Sequence, residues 1–263
     1  MTFSHNFDAT SLREYDIRGI VGKTLSAEDA FAIGRTFGSM VRRNGGRTLV
    51  VGYDGRLSSP MLEEALVQGA VECGLEVTRV GRGPTPMLYY ASATLEADGA
   101  IMVTGSHNPP DYNGFKMMLA GKPFFGAQIK ELGELSAQGN VVAREDGSVR
   151  EADVRDEYVA RLVKDYVGGS RKLKIVWDNG NSSAGEILEK LVAALPGEHI
   201  VLNAAIDGTF PAHHPDPTVA RIFSSLSASC VIMVPMWVLP SMAMPTGSVW
   251  WTTRAKSCGA TRR

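Results

Sequence analysis

Gly99-Ala100-Ile101-Met102-Val103-Thr104-Gly105-Ser106-His107-Asn108-Pro109-Pro110-Asp111-Tyr112-Asn113-Gly114-Phe115-Lys116 is the stretch that decides how this chain folds. Its first five residues are an apolar run that ends at small and turn-forming residues, the pattern of a short buried strand. At the strand's exit stands Ser106 on a loop, with His107 beside it and Lys116 ten positions on. A hydroxyl presented in this way can carry phosphate covalently, and the two basic side chains can balance its charge. For a lone serine the default would be a turn or a helix cap.

Working outward, strand and helix patterns alternate. Residues 47–51 are apolar and β-branched, and end at Gly52. Ser58 or Ser59 can cap a helix with Pro60 in its first turn, running to about Cys73 and stopped by Gly74. A strand over 76–80, a helix over 86–95, the strand before Ser106 and a helix over 128–136 follow, and 138–149 is polar and turn-rich. The pattern then restarts with an amphipathic helix over 153–166, a Gly168-Gly169-Ser170 breaker and a strand over 173–177. The turn Asp178-Asn179-Gly180-Asn181, a helix over 184–195 and a strand over 199–202 complete it. This alternation predicts an α/β fold: two similar domains with mixed or mainly parallel sheets and helices on both faces, the second incomplete. The expected division is 1–150, a partial domain over 151–219, and a tail over 220–263 that fits neither.

Composition narrows the setting. Of the 263 residues 44% are apolar, enough for real cores, and the net charge of −1 gives no overall argument for nucleic acid or a membrane surface. A phosphate site must therefore be a local basic cluster. The three cysteines, Cys73, Cys230 and Cys258, have neither zinc nor redox spacing. The N-terminus lacks a basic-then-apolar leader, and no apolar run reaches membrane length. A cytoplasmic monomer is the expectation.

The run around Ser106 resembles the phosphoserine loop of the α-D-phosphohexomutases, the phosphomannomutase/phosphoglucomutase family. Four further blocks resemble that family in its order: Arg13-Glu14-Tyr15-Asp16-Ile17-Arg18-Gly19-Ile20, Val51-Gly52-Tyr53-Asp54-Gly55-Arg56-Leu57-Ser58-Ser59, Gly83-Pro84-Thr85-Pro86 and His213-His214-Pro215-Asp216-Pro217-Thr218. Five ordered blocks argue against an unrelated phosphate-binding protein. The resemblance implies an enzyme that interconverts hexose 1-phosphate and 6-phosphate, on mannose or glucose, through a phosphoserine and a hexose 1,6-bisphosphate. It implies Ser106 as nucleophile and His107 and Lys116 as its catalytic neighbours. Arg18 and Tyr15 are implied as the substrate wall, and Mg2+ as the cofactor, bridging the phosphate on Ser106 and three carboxylates of a later metal loop. Family members have four domains, and this chain has room for under two and a half.

The residues have plainer readings too. Arg13, Glu14, Asp16 and Arg18 could form a surface ion-pair ladder, and Lys116 a solvated cation. Asp54 and Arg56 could brace the Ser106 loop, and Asn108 and Asn113 could shape it. Adjacent His213 and His214 point to opposite faces of an extended segment and make a poor metal pair. Asp178-Asn179-Gly180-Asn181 lacks calcium-loop spacing and reads as a strand-to-helix turn.

No acidic residue follows Asp216, and the Asp-Gly-Asp-x-Asp-Arg metal loop expected by resemblance is absent. The genetic code suggests why. Ser241-Met242-Ala243-Met244-Pro245-Thr246-Gly247, read from the last base of each codon, permits Asp-Gly-Asp-Ala-Asp-Arg. A frameshift between about 219 and 231 is therefore expected, persisting to an early stop. Two readings stay open: a mutase, or a truncated fragment that holds phosphate or phosphosugar without completing the cycle.

Overall fold

The computed structural model describes residues 4–168 and 173–216. The expected tail over 220–263, with its frameshift, lies outside the described residues, as do Gly169, Ser170, Pro217 and Thr218.

The larger sheet is built around three parallel strands: β2 (Thr48–Tyr53), β3 (Glu76–Arg82) and β4 (Gly99–Val103). The numbering of strands and helices follows chain order, with β1 (Ile17–Ile20) and α1 (Ala27–Arg43) preceding β2. Between the strands run α2 (Ser59–Val71) and α3 (Thr85–Thr94). After β4 come β5 (Tyr112–Leu119), β6 (Lys122–Phe124), α4 (Ala127–Ala137), β7 (Ser148–Glu151) and α5 (Arg155–Lys164). The order across the sheet is β1-β5-β4-β2-β3-β7, with β6 on β5. The β4-β2-β3-β7 side is parallel, and β1, β5 and β6 add an antiparallel side. The sheet is thus mixed, as one of the two expected forms allows.

Two cores cover its faces. Ile33 and Phe37 of α1, Leu62 and Leu66 of α2 and Ile129 and Leu132 of α4 pack with Leu49, Val51, Ile101, Val103 and Phe115. Met87 and Leu88 of α3 and Tyr158 and Val159 of α5 pack on Val50, Ala100 and Met102 from the other side. The alternation of side chains along each strand feeds both cores. The helix α5, expected to open the second domain, lies against this first sheet. Beyond it, β8 (Lys174–Asp178), α6 (Gly185–Ala194) and β9 (Glu198–Leu202) form a two-stranded parallel unit.

Five elements were not anticipated: helix α1 and strands β1, β5, β6 and β7, the last starting inside the stretch over 138–149 expected to be polar and turn-rich. Helix α1 starts with a capping box: the Asp29 backbone N–H donates to Ser26 Oγ, and Asp29 accepts from the Ser26 backbone N–H. Strand β5 carries Asn113, Gly114 and Lys116, which the sequence places on a loop. The Asn-Gly pair is no turn here. Asn113 is buried and donates to Ser58 Oγ and Ser59 Oγ, both at 2.9 Å, while Gly114 gives up a side chain to let the Ile17 carbonyl approach. Those bonds also correct the expected cap of α2: neither serine caps that helix through its side chain.

From β2 the chain crosses to β3 on one side, and from β3 back to β4 on the other. The carboxyl ends of β2 and β4 therefore flank a topological switch point, where open α/β sheets gather their ligands.

Candidate active site at the Ser106 loop

Two loops meet at that switch point, Asp54–Arg56 after β2 and Thr104–Pro109 after β4. Asp54 is their shared acceptor. Its Oδ2 takes Thr104 Oγ1 at 2.8 Å and the Gly105 N–H at 3.1 Å, and its Oδ1 takes Ser59 Oγ at 2.6 Å and the Arg56 N–H at 3.0 Å. Arg56, 1% exposed, reaches under the Ser106 loop. Its Nη2 donates to the carbonyls of Ser106 at 2.9 Å and Asn108 at 2.7 Å, and its Nη1 to those of Tyr112 at 2.9 Å and Pro109. Burial pushes the Arg56 guanidinium down from its ordinary value, and Asp54 works against that. Gly105 has to be glycine, because a Cβ there would overlap the Arg56 guanidinium.

Where these contacts reach the Ser106 loop, they go to its main-chain groups or to Thr104. None of them uses the Ser106 hydroxyl. The Ser106 backbone sits in the left-handed region, at φ +55°, which costs an L-residue about 1–2 kcal/mol. Its N–H is held by Thr104 Oγ1 at 2.9 Å, and Asn108 Nδ2 donates to the Gly105 carbonyl at 2.9 Å. An otherwise unfavourable turn is over-determined by its surroundings and presents a side chain at a strand end.

The structure draws Lys116 and Arg18 together through Asp16. Lys116 Nζ stands 3.1 Å from Asp16 Oδ2, and Arg18 Nη2 pairs with the same oxygen. Asp16 is buried, so the alternative reading of a surface ion-pair ladder does not hold at this position. His107 is exposed beside Ser106. Tyr15, next to Asp16 in the chain, is 71% exposed, with its ring 6.3 Å from that of Phe125.

Sequence reasoning did not foresee Phe210. Its ring lies 5.1 Å over the Arg56 guanidinium, and Gly208 abuts the Arg56 backbone. No local pattern could have shown a contact between residues so far apart in the chain. His213 is held by hydrogen bonds to Asp178 Oδ2 and the His214 carbonyl, both at 3.0 Å. Among the described residues, no three His, Cys, Asp or Glu side chains gather as a metal site. These residues do not by themselves fit the magnesium ion implied by resemblance. Nor, among the described residues, is any helix long and apolar enough to cross a membrane.

The family model described as "Phosphoglucomutase/phosphomannomutase, alpha/beta/alpha domain I" matches residues 9–140, half of the chain. The chain belongs to the phosphoglucomutase/phosphomannomutase family. It is 46% identical over 209 residues to a phosphomannomutase/phosphoglucomutase of Pseudomonas aeruginosa, covering 80% of this chain and 45% of that protein. A phosphoglucomutase of Neisseria meningitidis is 42% identical over 218 residues, covering 82% and 47%. The crystal structure of a phosphoglucomutase/phosphomannomutase family protein from Burkholderia thailandensis superposes with a TM-score of 0.80 at 44% identity, over 84% of this chain and 50% of that one. This phosphoglucomutase/phosphomannomutase family chain therefore spans about half the length of the relatives it matches.

Proposed function

We propose that Ser106 carries phosphate for a mutase that moves a phosphoryl group between the 1- and 6-positions of a hexose. The observation that supports this reading best is the Ser106 turn itself. A buried arginine and a buried aspartate hold its main chain at a switch point, and a cationic pair sits on the neighbouring strands. Relatives named for mannose and glucose make those hexose phosphates the substrates to try.

In the proposed cycle the P–Oγ bond of phosphoserine breaks as a bond forms from phosphorus to the free hydroxyl of a hexose monophosphate. The hydroxyl proton ends on Ser106 Oγ, directly or through His107. The product is a hexose 1,6-bisphosphate. After it turns over, Ser106 Oγ accepts the other phosphoryl group and returns its proton to the departing sugar oxygen. Positioning and charge, supplied by Lys116 and Arg18, do most of the work in such a transfer.

Incubation of the protein with glucose 1,6-bisphosphate, followed by phosphopeptide mass spectrometry, tests the reading. One phosphate on Ser106, absent from Ser106→Ala, is the expected result, and phosphate confined to another residue overturns it. A second reading is phosphate acceptance without sustained turnover, supported by the described residues, which gather no acidic cluster to hold the implied magnesium ion. A coupled steady-state assay with mannose 1-phosphate and glucose 1-phosphate separates the two.

A further inference from the structure

The trio at the β1–β5 pair, with Asp16 just ahead of β1 and Arg18 and Lys116 on the strands, contains a carboxylate that the proposed cycle leaves without a role. Strands β1 and β5 run antiparallel with Ile17 opposite Phe115 and Arg18 opposite Gly114. One step further along the same register sets Asp16 opposite Lys116. Ile17 and Phe115 point into the larger core, so Asp16, Arg18 and Lys116 share the opposite face. A carboxylate only 5% exposed is uncommon unless cations compensate it, and here one oxygen serves two of them. Arg18 also keeps a buried Nε without a hydrogen-bond partner, so its guanidinium has donor capacity left for an anion.

We propose that Asp16 is a positioning residue that competes with phosphate for Lys116 and Arg18, and so keeps the phosphoryl group on Ser106 from being held too tightly to leave. This rests on the reading of Ser106 as a phosphate carrier. A serine phosphate brings a charge of about −1.5 to −2. Two cations without Asp16 would grip it as a +2 pair, whereas with Asp16 in place the trio offers +1, and the phosphate must draw each cation away from the carboxylate. A carrier that must both accept and release phosphate benefits from the weaker grip, because tight binding of the carrier state alone does not speed its discharge.

The sign of one substitution separates this role from simple support. If Asp16 only held the two cations in place, Asp16→Asn would loosen them and weaken phosphate binding. As a competitor, its loss strengthens binding, with an expected change on the order of tenfold for one unit charge at close range. Inorganic phosphate, titrated into the 263-residue protein and followed by 31P NMR, reads this without any turnover. Asp16→Asn is expected to lower the apparent Kd, Asp16→Glu, which keeps the charge, is not, and the Ser106 phosphate of Asp16→Asn is expected to discharge more slowly to glucose 1-phosphate. Equal or weaker phosphate binding by a folded Asp16→Asn overturns the proposal, as does a parental protein that binds no phosphate. If Asp16→Asn does not fold, Lys116→Gln is compared with the double variant Asp16→Asn/Lys116→Gln, and tighter binding by the double variant is required. Phosphate found on a residue other than Ser106 would defeat the carrier reading, while the titration would still judge Asp16.

Discussion

Two turns in this molecule use the same backbone device for opposite ends. At the exit of β4, Ser106 adopts φ +55°, and at the exit of β8, Asn181 adopts φ +56°. The β8 turn commits its polar side chains to its own neighbourhood. Asn179 Nδ2 reaches the Ser182 carbonyl at 2.9 Å, Asn181 Nδ2 the Ala205 carbonyl at 2.9 Å, and Asp178 Oδ1 accepts from the Gly180 N–H and Asn203 Nδ2. The β4 turn is held from behind, by Arg56 on its carbonyls and Asp54 on Gly105 and Thr104. One turn is a joint whose side chains are fully engaged. The other has its main chain fixed by Arg56 and Asp54 from a neighbouring loop and by Thr104 and Asn108 of its own, with none of these bonds using the Ser106 hydroxyl. A strained residue at a strand end thus marks a site only when something other than its own side chain holds it.

The largest break of this comparison is Arg56→Met. It strips four carbonyls and Asp54 of their buried partner, at a cost of about 3–5 kcal/mol. The melting temperature should drop by about 10 °C, and Ser106 should cease to accept phosphate. A variant that melts within a degree or two of the parent would show that the loop does not depend on its brace. Asn181→Ala is a milder test on the other turn. Loss of the bonds to Ala205 and from Ala212 should cost about 2–3 kcal/mol and several degrees in a thermal melt, with the rate of Ser106 phosphorylation unaltered. A parallel fall in that rate would mean that the two turns are coupled, with Phe210 over Arg56 the route. The smallest effect belongs to Ser106→Gly. It removes the chemistry and relieves the left-handed backbone, so the variant should melt no lower than the parent and gain up to about 1 kcal/mol. A lower melting temperature would show that the hydroxyl supports the fold after all.

Much of this was legible in the sequence. The strands β2, β3, β4, β8 and β9 announce themselves as short β-branched or apolar runs, and α2, α3, α5 and α6 as the segments between breakers. The Ser106 loop was legible for the same reason, since a strand exit followed by Gly, Asn and Pro leaves few alternatives. What escaped is instructive. Helix α1 buries Ile33, Phe37, Met40 and Val41, but Gly34, Thr36, Gly38 and Ser39 sit among them and break up the apolar stripe by which an amphipathic helix is recognised. The Ser26–Asp29 capping box was the signal available. Strand β5 escaped because Asn113-Gly114 reads as a turn until Ser58, Ser59 and Ile17 are placed around it. Asp16 escaped as more than a surface charge because its burial follows from pairing across β1 and β5, which only the folded register reveals.

The crossing of α1 and α2 places a hereditary constraint far from the chemistry. A Cβ on Gly34 would overlap the Leu66 carbonyl, and one on Gly69 the Phe31 carbonyl, so these helices touch backbone to backbone. Helix α2 begins at Ser59, whose hydroxyl holds Asp54, and Asp54 in turn holds the turn of Ser106. Any lineage that replaced either glycine would have to lift α2 away from α1 and carry Ser59 with it. The geometry of the Ser106 loop is therefore tied to two glycines at a helix crossing outside that loop.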